Sequence, residues 1–241
     1  MSSIGDTVNR MIKPIGFQLI KAKAESLVAV ERDYMRQLDA FKIDLVLDVG
    51  ACFGQYSKWL MGVGYKNSIL SFEPCSSSYT KLQETAQPFP NWQIAPRTAL
   101  GNKADKVWLN VYSLPGCNSL LEADKIKDYL PSINLQEKEE VDVVRLDSVS
   151  HSAIADAKSI LLKADVQGFE KYVIEGAENL MHKIQLIHLE VSFVEIYQGE
   201  TAFLDMANLL NGFGYRLNYM YPEYVDKNGN MIQANAVFAR R

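Results

Sequence analysis

The stretch LDVGACFGQYS, Leu47–Ser57, decides how the rest of the chain is read. Its lead-in DLVLDV, Asp44–Val49, is a short apolar run that stops at Gly50, as a strand buried in a parallel sheet does. A glycine at a strand end takes positive φ and lets the backbone come close to a neighbour or a ligand. The residues that follow, Gln55–Val63, read as a helix. A helix entered from such a turn offers free N–H groups and the positive end of its dipole.

Working outward, the same rhythm repeats. SILSFEP, Ser68–Pro74, reads as a second buried strand, Ser77–Ala86 as a second helix, and IAPRTAL, Ile94–Leu100, as a third strand. The alternation then breaks. VWLNVYS, Val107–Ser113, and VDVVRLD, Val141–Asp147, both read as strands, and the insertion Asn102–Asp147 is the place for a substrate lid. ILLKADV, Ile160–Val166, restores the rhythm, with a helix near Glu170–Leu180, the strand IQLIHLEV, Ile184–Val191, and a last helix over Thr201–Asn211. YRLNYMY, Tyr215–Tyr221, and ANAVFAR, Ala234–Arg240, flank Asn228-Gly229, a strong hairpin signal. The expected fold is α/β and Rossmann-like: a mostly parallel seven-stranded sheet with a C-terminal antiparallel hairpin and a β insertion.

Residues 1–40 form an expected helical appendage to a domain over 41–241. Phe17, Ile20, Ala24, Leu27, Val28, Met35 and Leu38 recur at helical spacing, with Lys21, Lys23, Glu25, Glu31 and Arg32 between them. Capping of the main domain is the plain reading; peripheral membrane contact or dimerisation is the other. The 241 residues are 48% hydrophobic and 22% charged, which suits a soluble globular protein, and a net charge of −4 gives no general pull toward nucleic acid or anionic membrane. Cys52, Cys75 and Cys117 are odd in number and lack metal-site spacing, which argues for a reducing compartment and no structural zinc. With no signal-peptide order at the N-terminus and no long apolar run, the expected location is cytoplasmic. Oligomeric state is not readable.

The chemistry lies at the strand ends. The glycines of the first turn are spaced G-x-x-x-G, so the middle glycine of the dinucleotide fingerprint G-x-G-x-x-G is missing. Asp48 stands two places before Gly50, where a carboxylate under the ligand would repel a pyrophosphate and attract a cation. That favours S-adenosylmethionine as cofactor. Glu73 ends the second strand, where an acid takes both ribose hydroxyls of a nucleoside. Asp165 follows the very apolar ILLKA, and Glu190 ends the next strand. Asp48, Glu73, Asp165 and Glu190 thus converge on the carboxyl edge of one sheet, the edge where ligands bind in open α/β folds. Lys163 shares a strand face with Asp165 and either pairs with it or is exposed at a sheet edge.

These motifs, in order LDVGACFGQYS, SFEP, TALG (Thr98–Gly101), RLDS (Arg145–Ser148), LLKADVQGFEKYVIEGA (Leu161–Ala177), HLEVSFVEIYQG (His188–Gly199) and AVFAR (Ala236–Arg240), resemble the FkbM-type family of S-adenosylmethionine-dependent methyltransferases over about residues 40–241. The KADVQGFE segment with its following EGA is the specific part. The resemblance implies the class I methyltransferase fold and O-methylation of a hydroxyl on a sugar, glycan or secondary metabolite. It implies a cofactor floor of Asp48, Gly50, Cys52 and Gly54, with Gln55, Tyr56 and Ser57 at the helix start, Glu73 on the ribose, and Ala99 and Leu100 near the adenine. Two positions depart from the family: Cys52 and Asn235 stand where it usually has Asn and often an acid.

Methyl transfer needs an aligned acceptor and a group that removes its proton. Asp165, Glu190 and His188 are the candidates. Asp165 is favoured as base or orienting group, and His188 more often reads as a packed residue of its strand. Asp165 with Glu190 could instead hold Mg2+. Asn118 and Ser119 suit a loop over the site, Glu195 and Tyr197 the acceptor pocket, and Tyr215, Tyr219, Tyr221 and Tyr224 packing on the sheet. The alternatives are a nicotinamide-dependent oxidoreductase, disfavoured by the missing glycine, and a catalytically degenerate binding module, for which only Cys52 and Asn235 speak.

Overall fold

In the computed structural model residues 24–123 and 125–241 are described, with side chains from Val30 onward. They form two units. One contains the helix α1, Ala24–Ala40, and the other spans Phe41–Arg241. Of the helical segment expected over residues 1–40, α1 is the described part, nothing tests its membrane or dimerisation reading, and the expectations for residues 1–23 lie outside the described residues. Among the described residues no helix is long and apolar enough to cross a membrane.

The main sheet has seven strands in the order β3 (Trp92–Ile94), β2 (Ser68–Phe72), β1 (Leu45–Val49), β7 (Ile160–Ala164), β8 (Ile184–Ser192), β10 (Met231–Arg240) and β9 (Tyr215–Val225). Its centre is β1, Leu45–Val49, parallel to β2, Ser68–Phe72, on one side and to β7, Ile160–Ala164, on the other. Every residue of β1 and β7 is buried, which is why both read as unbroken apolar runs. β3, Trp92–Ile94, adds to β2, and β8, Ile184–Ser192, adds to β7. The hairpin of β9, Tyr215–Val225, and β10, Met231–Arg240, closes the far side antiparallel to β8. Its turn is pinned by Asp226, whose Oδ1 accepts the backbone N–H of Asn228 and of Asn230, both at 2.8 Å. The principal core packs Leu45, Leu47, Leu162, Ile187 and Phe238 with the flanking helices, and each such side chain contributes about 1.5–3 kcal/mol by leaving water.

Helices α2, Gln55–Gly62, α3, Ser76–Ala86, and α7, Phe203–Gly212, fall within a residue or two of expectation. Two elements differ. The stretch Ile94–Leu100 is not one strand. β3 ends at Ile94, the Ala95 N–H still reaches Ser71 O at 3.0 Å, and the chain then turns at Pro96, which has no N–H for a ladder. Ala99–Leu100 becomes β4 of a second sheet, parallel to β6, Leu135–Val144, which pairs antiparallel with β5, Asp105–Tyr112. The helix expected near Glu170–Leu180 stops sooner, as α6, Glu170–Glu175, followed by a 3-10 turn at Glu178–Leu180. Gly176 packs directly on the second sheet's approach, where a Cβ would lie 2.0 Å from Gly101 O. Two short helices complete the unit: α4, Ile126–Tyr129, within the insertion, and α5, Ser152–Asp156.

Candidate active site

The carboxyl ends of β1, β2 and β7 enclose a cleft, and beneath it lies a buried polar floor. Asp48 is 0% exposed. Its Oδ2 accepts Ser57 Oγ at 2.6 Å and Ser71 Oγ at 3.4 Å, and Ser71 Oγ accepts the Trp92 indole N–H at 2.9 Å. Its Oδ1 lies 3.2 Å from Lys163 Nζ, across the register that pairs Asp48 with Lys163. Lys163 is buried as well, 3.6 Å from Asp165 Oδ2 and with Nζ 3.4 Å from Gly50 O. Burial alone would lower its pKa, but Asp48, then Asp165, more than offset that and hold the ammonium charged. Asp48 and Ser57 therefore sit under the turn and not in the cleft. The negative charge that was to select a cationic ligand is matched by Lys163, a residue 115 positions away whose burial no local pattern announces.

Above the floor the turn is built by close approach. Gly50 has φ 72°, and a Cβ there would lie 1.9 Å from Asp165 O. Cys52 has φ 49°, a left-handed conformation that asparagine tolerates better than cysteine. Phe53 N–H is capped by Gln55 Oε1 at 3.0 Å. Glu73, 5% exposed, reaches across from the end of β2: Oε2 accepts Cys52 N–H at 2.8 Å and Oε1 accepts Cys75 N–H at 2.9 Å. Burial pushes its carboxyl up to about 7, against the pull of those two N–H groups and Lys163. Burial, then Glu73, raises the Cys52 thiol in turn.

The cleft measures about 620 Å3, with the open solvent at its mouth included. Gly50, Cys52, Glu73, Ala99, Leu100 and Asp165 line it, as do Asn118 and Ser119 of the insertion. Its apolar wall is completed by Phe169 and Leu109. Gly54 lies behind the turn against Trp92. Gln55 and Tyr56 face a neighbouring cavity instead.

The far wall is a bonded network centred on Gln167, which follows Asp165 with φ 55°. Its Nε2 donates to Asp165 Oδ1 and to Glu190 Oε2, both at 2.8 Å. Its Oε1 accepts the Tyr197 hydroxyl at 2.7 Å, and its backbone O accepts Ser119 Oγ at 2.6 Å. Glu190 Oε2 also accepts Gln233 Nε2 at 3.0 Å. Burial, then the neighbouring Asp165, Glu170 and Glu223, pushes the Glu190 carboxyl well above the ordinary range. Burial keeps the Tyr197 hydroxyl protonated, as a donor must be. Glu170, at the start of α6, ties the turn from inside, its Oε1 accepting Val166 N–H at 2.9 Å and Gly168 N–H at 3.3 Å.

Magnesium between Asp165 and Glu190 finds no support. The Gln167 amide occupies that position, and among the described residues no three His, Cys, Asp or Glu side chains are grouped to hold a metal ion. His188 is buried in β8. Burial, with help from the Lys163 charge, lowers its pKa to about 4, so it is neutral near pH 7. Its Nε2 lies 2.8 Å from Asn235 Oδ1, which can only accept, so Nε2 carries the proton. Asn235 Nδ2 donates to Glu223 Oε2 at 2.5 Å. A carboxylate at 235 could not make that second donation, which gives a physical account of Asn there.

Tyr215 packs in the core with its hydroxyl on Ile184 O, but Tyr221 and Tyr224 line cavities next to the cleft and do not simply pack on the sheet. Glu195 is half-exposed and paired with Lys125 at 2.6 Å, outside these cavities. Sequence reasoning assigned no role to Gln167, Phe169, Glu170 or Glu223. The strand-end position of Gln167, just before a glycine, was the available signal; Glu223, on an exposed hairpin strand, carried none.

A family model described as "Methyltransferase FkbM domain" matches residues 48–217. No curated protein matches the chain. Among solved structures, methyltransferase FkbM from Methylobacillus flagellatus KT aligns with a TM-score of 0.54 at 16% identity, over 82% of this chain and 43% of that one. TehB from Haemophilus influenzae aligns at 0.46 and 14%, over 87% and 62%, and magnesium protoporphyrin IX methyltransferase (ChlM) from Synechocystis PCC 6803, with bound SAM, at 0.48 and 10%, over 99% and 95%. The chain spans less than half the length of the FkbM structure and less than two thirds of TehB. The first of these likenesses shows the class I methyltransferase fold, in agreement with the strand order.

Proposed function

We propose that this chain, which belongs to the family of methyltransferase FkbM domains, moves the methyl group of S-adenosylmethionine to a hydroxyl of a sugar, glycan or other small molecule. One observation carries the donor part of the reading. Glu73 is nearly buried at the cleft edge, each of its oxygens held by one backbone N–H and each with a lone pair left over. Two vicinal hydroxyls suit such a carboxylate, and the Ala99, Leu100 and Phe169 wall beside it suits a flat base. The residues at the cleft therefore fit a nucleoside donor, which when bound supplies an electrophilic methyl on a sulfonium.

The chain's own part is alignment and proton removal. Asp165 lies at the border of the cleft and the neighbouring cavity, its side chain 39% exposed, and can take a proton from an acceptor hydroxyl. Gln167 and Lys163 hold it from two sides. Burial holds the proton on Glu190, which therefore orients the acceptor and does not take its proton. His188 packs and positions through Asn235. The cytoplasmic setting expected from the cysteines, all three of them free, belongs to this reading.

Calorimetry with S-adenosylmethionine and S-adenosylhomocysteine tests the donor half. Saturable binding of both is expected, at least about tenfold weaker in Glu73→Ala. No binding of either would end the reading, and stabilisation by NAD alone would replace it with the oxidoreductase.

A further inference from the structure

Two cavities adjoin the cleft, each lined by both apolar faces and polar tips. The larger, about 980 Å3, is walled by the rings of Tyr56, Trp59 and Tyr221 and by the polar tips of Glu190, Glu223 and Asn235. The smaller, about 720 Å3, lies between the insertion, with Ile126, Tyr129 and Leu130, and the far wall, with Ile196, Tyr197 and Tyr224. Gly116, Glu190 and Glu223 line both. Gly116 lines the cleft too, as do Asp165 on the side of the larger cavity and Gln167 on the side of the smaller. Gly116 therefore lines all three spaces, and Asp165 stands where the cleft meets the larger cavity.

We propose that the two cavities form a single acceptor site for an amphipathic molecule without negative charge, its hydroxylated ring in the larger cavity and an apolar arm in the smaller. The inference rests on the methyl-transfer reading for its reaction but not for its binding chemistry. Aromatic faces with carboxylate and amide tips match a hydroxylated ring, which presents C–H faces and O–H edges. The smaller cavity has a polar side, with Gln167, Glu190, Glu223 and Gln233, and an apolar side, where Ile126, Leu130 and Ile196 belong to one packed cluster; hydroxyls pressed against that apolar side would lose their partners, which is costly. An apolar arm fills the same space favourably. An anion is disfavoured because the Asp165 and Glu223 carboxylates line the larger cavity, while Lys163, the one cation among the described residues lining either cavity, is already shared by Asp48 and Asp165.

The test is calorimetry on the full chain saturated with S-adenosylhomocysteine, titrated with glucose, with ethyl, butyl and hexyl β-D-glucosides, and with hexyl β-D-glucuronide. Affinity is expected to rise about fourfold per added methylene. The glucuronide is expected to bind at least about tenfold more weakly than the hexyl glucoside. Leu130→Asp and Tyr224→Ala should each flatten the chain-length dependence while S-adenosylhomocysteine binds as before; if Leu130→Asp does not fold, Tyr224→Ala decides. Equal binding of glucose and hexyl glucoside, no binding of any alkyl glucoside, tighter binding of the glucuronide, or a chain-length dependence that survives in the folded variants would overturn the proposal. Alkyl glucoside binding in a chain that binds no donor would leave this site standing and sink the methyl-transfer reading alone.

Discussion

Two polar clusters flank Lys163, one built on a single acid and one on a pair. On its inner side Asp48 meets Ser57, Ser71 and, through Ser71, Trp92, with no exposed carboxylate surface at all. On its outer side Asp165 meets Gln167 and, through that amide, Glu190, at the edge of open space. Both clusters come from strand ends that look alike in sequence. The difference is depth. The inner acid is balanced by a cation and hydroxyls and holds the sheet together, whereas the outer pair keeps solvent-facing atoms that a ligand can use. Burial without a free face is structural, and burial that stops one atom short of closure is where binding chemistry remains.

Removing the shared cation should separate the two clusters most sharply. Lys163→Met leaves Asp48 enclosed without its cation, and should lower unfolding stability by about 3–5 kcal/mol in urea titrations. The double variant Asp48→Asn, Lys163→Met should recover most of that loss. Asp165→Asn, by contrast, should cost about 1 kcal/mol or less while removing methyl transfer. Equal costs for the two single variants would mean that the inner and outer acids do not differ in structural role.

The next effect is a pH dependence with opposite signs for folding and binding. Because Glu73 is held at about 7 in the fold against an ordinary 4.5, its contribution to stability is complete below about 4.5 and lost as pH rises through about 7. Glu170, also pushed up to about 7 by burial, acts in the same direction. Melting temperature should therefore decline over that window, and Glu73→Gln should shrink the decline without abolishing it. Donor affinity should instead rise with pH up to about 7, as the carboxylate forms, and be flat in Glu73→Gln. A wild-type affinity independent of pH across this range would show that Glu73 does not take the ribose.

The smallest expected effect concerns the turn that joins the two clusters. At φ 49° Cys52 sits where asparagine is at ease, so Cys52→Asn should stabilise by about 0.5–1 kcal/mol, read as a small rise in melting temperature. Its backbone N–H, not its side chain, meets Glu73. S-adenosylhomocysteine affinity should therefore change by less than about threefold. A large gain would mean that the natural turn is impaired.

What could be read early and what could not divides along the same line. Buried parallel strands announce themselves as apolar runs, so β1, β2, β7 and β8 were legible, and with them the sheet edge that carries Glu73, Asp165 and Glu190. The hairpin was legible from Asn228-Gly229. The run Ile94–Leu100 was not, because apolarity says that a segment is buried but not in which sheet, and the chain changes sheets at Pro96. The cavities were not legible either. Their walls come from α2, the insertion, β8 and the hairpin, elements whose residues show no common pattern until they are brought together.

The sequence by itself determined the order of strands and helices, the acids placed at strand ends and the likeness to one family of methyltransferases, because these depend on local periodicity and spacing. Only the tertiary structure decided which acid faces a ligand. Asp48 and Asp165 are each an acid beside a strand end, and what separates them is the position of one ammonium and the packing above it. Depth, neighbouring charge and the left-handed turn at Cys52 are properties of residues far apart in the chain meeting in space, and no stretch of eleven letters contains them.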